Sequence, residues 1–240
     1  MNPNISIMST LGPVVSNTEP ARPIGPEPVI GQHVRLERLT EAHFADLWEN
    51  VGVHVDLWTC WPEGPFNTPS EFNDNLHEFL KLLVGDLAIY SVFLLAGPHK
   101  GKAVGMAMAL SEERTTNRVG EIGMFYGPFL QKTRAGTEVI YLLTRLLFEL
   151  NHRRVGWKTN ALNVQSRRAA ERYGFVYEGT LRQHQINKGR NRDSAWFSII
   201  DSEWPLCKEA FEAWLEDGNF DEQQQQKRKL QEIRESLMKA

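Results

Sequence analysis

Residues 131–138 combine polar and small side chains directly before a strongly periodic apolar segment. A helix that begins there presents backbone N–H groups without intrahelical acceptors, together with the positive end of the helix dipole. Such groups bind phosphate or pyrophosphate well. An ordinary strand-to-helix loop with a threonine cap has the same composition. The segment alone therefore predicts either an anion site or a capped loop.

A second group of residues with chemical potential lies at 163–175. Asn163 and Ser166 open a short predicted helix, Glu171 lies in its last turn, and Gly174 with Phe175 follows it. Asparagine is a common helix N-cap, and its amide can equally bond a ligand that lies beside the helix. The glycine is typical of a helix end.

Taken in order, the two segments resemble the GNAT superfamily, and within it the RimJ/RimL-like branch of N-acetyltransferases. In that family a Gln/Arg-x-x-Gly-x-Gly/Ala loop wraps the CoA pyrophosphate, and an Asn-x-x-Ser…Glu-x-x-Gly-Phe helix lies beside the pantetheine arm. The resemblance runs from about residue 31 to 204, and residues 201–205 look like the end of that branch. It implies acetyl-CoA as the co-substrate and no metal. The cofactor-binding residues it implies are Phe125, Tyr126, Gln131, Lys132, Thr133, Arg134, Ala135, Gly136, Thr137, Asn163 and Arg168.

Arg134 departs from the family pattern, because it stands where the loop carries its first glycine, whereas Gly136 keeps the closing small residue. Glycine allows positive φ and a close approach of backbone to phosphate. An arginine can point away and leave the backbone path intact, add a charge-assisted contact to a phosphate, or impair the site. We expect one of the first two.

Acyl transfer to an amine needs a neutral amine, a polarised thioester carbonyl and a proton or hydrogen bond for the leaving thiolate. The resemblance implies that backbone N–H near Phe125 and Tyr126 polarises the carbonyl. Ser166 occupies the position where the RimL-like branch has a serine near the thiol, so we expect it to protonate the sulfur. The tyrosine that many GNAT enzymes place four residues before the Gly-Phe pair is Ala170 here.

Two residues are candidates for the general base. Glu121 begins the predicted central strand, where it can be a catalytic carboxylate or a supporting charge. The second is His184, because histidine as a residue type commonly serves as a base. Strand alternation turns it away from Gln185, which stands where the RimL-like branch has a glutamate. Binding and water can also suffice, because amines lose a proton readily near pH 8. Trp58 and Trp61 lie in the loop that closes over the acceptor in this family, as an apolar wall or as core residues.

Hydrophobic periodicity predicts the elements that position these residues, in the order β-α-α-β-β-β-α-β-α-β-β. This order favours an α/β (α+β) fold with a mixed, mostly antiparallel central sheet and helices on both faces. The predicted strands are 34–39, 90–96, 103–110, 119–126, 155–159, one from Phe175 and 196–200, and the main helices are 70–83, 137–150 and 165–173. We expect a flexible arm over 1–30, the catalytic domain over 31–204 and a helical extension or exposed tail over 205–240.

Composition narrows the function classes. The 240 residues carry a net charge of −3, which gives no overall attraction to nucleic acid or to an anionic membrane. Cys60 and Cys207 lack partners at metal-ligand spacing and fit a reducing compartment, so a cytoplasmic protein is expected. We expect a monomer or homodimer that acetylates a peptide N-terminus, a small amine or an amino-acid-like metabolite. The alternative is a non-catalytic GNAT-like module that binds acyl-CoA or a protein.

Overall fold

A computed structural model describes residues 12–81 and 86–239 of the chain. Its centre is an eight-stranded sheet in the order β1-β2-β3-β4-β5-β6-β8-β7. The strands are β1 Val29–Ile30, β2 Val34–Arg38, β3 Leu87–Leu94, β4 Ala103–Glu113, β5 Val119–Tyr126, β6 Arg154–Asn160, β7 Val176–Asn187 and β8 Arg190–Ile200. The helices are α1 Phe44–Leu47, α2 Pro69–Lys81, α3 Arg134–Glu149, α4 Val164–Tyr173, α5 Trp204–Leu215 and α6 Leu230–Leu237.

The sheet confirms the predicted fold class. Neighbouring strands pair antiparallel except β5 and β6, which are parallel because α3 crosses over between them. Residues 82–83 of the predicted second helix lie outside the described residues, as do residues 1–11 of the predicted arm. No helix of the described ranges combines the length and apolar character needed to cross a bilayer.

The pairing of β5 with β6 is short. It covers only residues 119–121 of β5 against 154–156 of β6. Beyond Glu121 the two strands separate, because β6 continues along β8 while β5 continues along β4. A gap therefore opens in the middle of the sheet, and one edge of β5 over residues 122–126 has no partner strand in the described chain.

Two apolar clusters cover the two faces of the sheet. On one face α3, α4 and α5 pack on β5 and β6, with Leu143, Trp157 and Phe211 fully or nearly fully buried. On the other face, α1, α2 and a 3-10 segment, Val55–Cys60, pack through Trp58 and Phe72. Trp58, predicted to lie in a loop, thus belongs to a 3-10 segment. The alternating side chains of β5 thus reach two different environments.

The two ends of the chain pack on this framework. Ala21 is buried, and its N–H donates to the carbonyl of Arg114 at 2.9 Å, so the described part of the arm lies along the domain. α5 contributes to the larger apolar cluster, and α6 buries Leu230 and Ile233. The predicted exposed tail thus has one buried face, because its few apolar residues recur at helical spacing.

Candidate active site

The first part of the site is the loop that leads into α3. Thr133 is the N-cap of α3, and its side chain accepts a hydrogen bond from the N–H of Gly136 at 3.0 Å. Lys132 adopts a left-handed conformation with φ of 60°, which turns the loop sharply. Among the described residues, no acceptor bonds the N–H groups of Gln131, Lys132, Arg134 or Ala135. These four donors at a helix N-terminus form a cradle suited to a pyrophosphate.

Close packing explains why a glycine stands at position 136. A Cβ added to Gly136 would lie 2.2 Å from the carbonyl oxygen of Leu130. The helix can therefore approach the loop only with glycine at this position. Its own carbonyl accepts a hydrogen bond from the Tyr126 hydroxyl at 2.8 Å, which fixes the helix against the end of β5.

The end of the predicted segment points into the protein. The side chain of Thr137 is buried, accepts a hydrogen bond from Arg172 and donates to the carbonyl of Thr133, while its N–H also bonds to Thr133. Thr137 therefore has no free donor for a phosphate, contrary to the expectation. Glu138 is buried as well and accepts the backbone N–H groups of residues 32–34 at 2.7–2.9 Å. The cradle therefore ends at Gly136.

Arg134 turns its side chain away from the cradle. The guanidinium bonds to the carbonyl of Leu215 at the end of α5, pairs with Asp217 at 2.9 Å and lies 4.2 Å from the centre of the Phe220 ring. Only 11% of the side chain is exposed. This is the first of the two favourable alternatives: the side chain points away from the loop and leaves the backbone path intact.

The second part of the site is the free edge of β5. The N–H of Gly127 donates to the carbonyl of Val104 at 3.0 Å, and the antiparallel register continues without a break along Phe125. By alternation, the N–H of Phe125 points toward β4, whereas those of Met124 and Tyr126 point into the gap. Phe125 is therefore not the backbone donor we expected, and Tyr126 remains one. The carbonyl of Tyr126 accepts a hydrogen bond from Gln131 at 3.1 Å.

The third part is the start of α4, across the gap from β5. The side chain of Asn163 caps α4 by accepting the N–H of Ser166 at 3.0 Å. The hydroxyl oxygen of Ser166 accepts a hydrogen bond from the indole N–H of Trp157 on β6 at 3.1 Å. The serine hydroxyl proton is thus left to donate elsewhere. Arg168 is exposed on the same helix.

Glu121 lies where β5 and β6 separate, on the face covered by α1 and α2. Only 4% of it is exposed, and Lys158 on β6 donates to its carboxylate at 3.3 Å. Burial raises the pKa of Glu121, and the positive charge of Lys158 partly opposes that shift. A carboxylate with a raised pKa accepts protons more readily near neutral pH.

An aromatic wall stands beside Glu121. The rings of Trp58 and Trp61 pack against Phe125 with centroid separations of 4.3 and 4.8 Å. Trp58 is fully buried, as a core residue would be, whereas Trp61 is partly exposed. Lys188, at the turn between β7 and β8, donates to the carbonyl of Trp58 at 2.7 Å and ties that hairpin to the wall.

A bulge in β7 changes the expected positions of His184 and Gln185. Gln183 has φ of 50°, and the register of β7 with β8 shifts between residues 181 and 185. His184 contacts the hydroxyl of Ser194 at 2.9 Å, while Gln185 accepts a hydrogen bond from Arg192. Because positions 192 and 194 share one face of β8, the expectation that the two side chains point to opposite faces is wrong.

Lys158 and Arg192 were missed by the sequence-based reasoning. Both face the Glu121 side of the sheet, and the ammonium of Lys158 lies 5.1 Å from the centre of the Trp196 ring. Each belongs to a strand paired far along the chain, so only a prediction of which strands are neighbours could have associated them with Glu121.

Comparisons with known proteins identify the family. The profile of the acetyltransferase (GNAT) family matches residues 51–175. A GCN5-related N-acetyltransferase from Brucella melitensis is 38% identical, with a TM-score of 0.85 over 92% of this chain and 100% of that one. A probable GNAT-family acetyltransferase from Chromobacterium violaceum is 32% identical, with a TM-score of 0.73 over 81% of this chain and 96% of that one.

A more distant structure shares the fold. The spermidine N-acetyltransferase from Vibrio cholerae, in complex with CoA and spermine, is 18% identical, with a TM-score of 0.57 over 73% of this chain and 99% of that one. No curated protein matches the chain. The family profile covers more than half of the sequence, and the Brucella structure matches nearly all of it. The chain therefore belongs to the GNAT family and is an acetyltransferase.

Proposed function

We propose that this protein moves an acetyl group from acetyl-CoA directly to the amine of a peptide N-terminus or a small metabolite, as a member of the RimJ/RimL-like branch. The observation that carries the proposal is the continuous path from the four free N–H groups before α3, along the open edge of β5, to Glu121. This path offers donors for a pyrophosphate at one end and a buried carboxylate at the other. The motif pattern of residues 163–175 supports the branch.

Backbone N–H groups of the cradle bind the pyrophosphate, and those of β5 polarise the thioester carbonyl. The N–H groups of Gln131, Lys132, Arg134 and Ala135 hold the pyrophosphate, and the helix dipole of α3 favours its charge. Acetyl-CoA supplies an acetyl group activated as a thioester. The N–H groups of Met124 and Tyr126, which point into the gap, stabilise the negative charge that develops on the carbonyl oxygen.

Side chains on the two sides of the gap move the protons. The amine nitrogen forms a bond to the carbonyl carbon, and Glu121 takes the proton that the nitrogen releases. The carbon–sulfur bond then breaks, and Ser166 donates its hydroxyl proton to the departing sulfur. The Ser166 oxygen, which accepts the indole N–H of Trp157, takes a proton from solvent in the same step, so that the serine stays neutral.

Other parts of the proposal rest on the chain as a whole. We place the protein in the cytoplasm, because Cys60 and Cys207 are both free thiols in the structure. We propose residues 31–204 as the catalytic domain, with the N-terminal arm and the C-terminal helices packed on it. We expect a monomer or a homodimer, and neither nucleic acid nor membrane as a partner.

Binding and turnover test the proposal separately. Acetyl-CoA is expected to raise the melting temperature of the protein, and a panel of amines is then expected to release free CoA. Stabilisation without release on any amine would instead favour a non-catalytic module. Glu121→Gln is expected to lower kcat by about 100-fold, because proton transfer by a positioned base contributes 10²–10⁴-fold.

The matched control for this variant is Glu149→Gln, which removes a carboxylate that is 60% exposed at the far end of α3. It is expected to keep wild-type kcat. The Glu121 variant should regain rate as the pH rises and the amine loses its proton in solution. If its kcat lay within threefold of wild type, Glu121 would not be the base.

A further inference from the structure

Arg192 is a cation on the acceptor side of the gap without a carboxylate partner. In the described ranges, no carboxylate oxygen lies within 4.0 Å of its guanidinium, and its one hydrogen-bond partner is the neutral side chain of Gln185. Its Nε atom is shut off from solvent and bonds nothing in those ranges. The Nε atoms of Arg134 and Arg167 share this property, so what distinguishes Arg192 is that its guanidinium meets no carboxylate of the described residues on the acceptor side of the gap.

The surroundings of Arg192 place this cation close to the reacting groups. The carboxylates of Glu121 and Glu63 are near enough for their charges to act on the guanidinium. Two positions further along the same face of β8 lies Ser194, and two beyond that Trp196, over whose ring the Lys158 ammonium lies. Arg192 and Glu121 therefore lie on one face, on opposite sides of Trp196.

The cations on this side of the gap differ in their hydrogen-bond partners. Lys158 already pairs with Glu121, and Lys188 is held by the carbonyl of Trp58. Of these three cations, Lys158 alone pairs with a carboxylate in the described ranges, whereas Lys188 and Arg192 each bond a neutral carbonyl oxygen. A guanidinium binds a carboxylate through two parallel N–H groups, and the bond is strong where water is excluded.

We propose that the acceptor is a zwitterion of the amino-acid class, with its carboxylate bound by Arg192 and its amine directed toward Glu121. This inference rests on the proposed acetyl transfer and narrows its acceptor. The guanidinium then gains the anionic partner that the protein does not supply, and the carboxylates of Glu121 and Glu63 favour the amine end.

The experiment compares acceptors that differ only in the carboxylate. The full-length protein with acetyl-CoA is assayed for CoA release on L-amino acids one by one, and on the corresponding amino-acid amides. Arg192→Gln is expected to lower kcat/KM for the amino acids by about 30-fold or more, mainly through KM, because truncating one side of a desolvated charge pair has that effect. Activity on the amides should change less than about threefold.

Two measurements keep the outcome clear. Arg190→Gln, an exposed cation of the same hairpin, is the matched control and should leave both substrate classes unchanged. The KM for acetyl-CoA should be the same in wild type and both variants, which shows that the cradle is intact. Equal activity of wild type on amino acids and amides, or equal loss on both in Arg192→Gln, would overturn the inference while leaving acetyl transfer standing.

If the enzyme acetylates none of these acceptors, a binding measurement tests the carboxylate site. Calorimetric titration of the enzyme–CoA complex with the same amino acids should show binding by wild type and none by Arg192→Gln. Absence of binding to wild type would refute the carboxylate site. Absence of any stabilisation by acetyl-CoA would refute the proposed function itself, and the two failures are thereby distinguished.

Discussion

Replacing Arg134 by methionine tests whether the arginine side chain stabilises the fold or binds a phosphate. Methionine keeps an unbranched apolar stem over the Phe220 ring but removes the charge and the donors. The charge-assisted bond to the Leu215 carbonyl contributes about 1.5–3 kcal/mol, and the contact with the ring about 0.5–1 kcal/mol. Asp217 is 93% exposed, so its ion pair adds little.

The expected loss in the free energy of unfolding is therefore about 2–4 kcal/mol. For a chain of this length, each kcal/mol lowers the melting temperature by about 2–4 °C, which predicts a fall of roughly 4–16 °C by calorimetry. The Kd for acetyl-CoA, measured by titration well below the transition, should stay within about threefold of wild type, because the backbone donors of the cradle are unchanged.

The control and the refuting result follow from the same geometry. Arg134→Gly restores the residue of the family pattern and should bind acetyl-CoA as well as wild type or better, with a further loss of stability from the flexible backbone. A Kd weakened tenfold or more in Arg134→Met with an unchanged melting temperature would mean that the side chain contacts the phosphates. The reasoning would also fail if wild type bound no acetyl-CoA and Arg134→Gly did.

Three further perturbations test the framework of the site. Glu138→Gln removes the charge that receives three backbone N–H groups and should cost about 2–3 kcal/mol in urea unfolding; a loss below about 0.5 kcal/mol would contradict this role. Gly136→Ala forces a Cβ onto the Leu130 carbonyl, so titration should show weaker acetyl-CoA binding and unfolding should show a loss of about 1–3 kcal/mol. Burial lowers the pKa of His152, which bonds Ser111 at 2.6 Å. Since its folded pKa lies below its unfolded one, stability is lost as the pH falls through the ordinary histidine range, and His152→Gln should flatten that dependence in denaturant titrations from about pH 7.5 to 5.

Local features of the site could be predicted from the sequence because their causes are local. The end of α4 at Gly174 depends on residues within one helical turn of each other, whereas α3 begins at Arg134, three residues before the predicted start. The strand Val119–Tyr126 has the predicted bounds, since its apolar pattern and flanking loops define it without outside contacts. The proposal of an acyl-CoA cradle at this loop follows from the resemblance together with these short-range signals.

Features that depend on distant contacts escaped prediction. The side chain of Arg134 finds its partners at Leu215 and beyond, in a segment that the composition described as an exposed tail. The β7 bulge that brings His184 and Gln185 to one face arises from a positive φ at Gln183. Glutamine seldom adopts positive φ, so the residue type does not predict the bulge. Arg192 lies near Glu121 because β8 pairs with β6, a contact between distant parts of the chain.

The carboxylate of Glu138 has a consequence for the order of assembly. It receives the N–H groups at the turn between β1 and β2, which lies about a hundred residues earlier in the chain. During synthesis, the backbone N–H groups at this edge of the sheet therefore lack their hydrogen-bond acceptor until α3 has been made. Contacts of such long range slow folding and make it cooperative. The first strands and the helix of the cofactor cradle are thus expected to become stable in a single step.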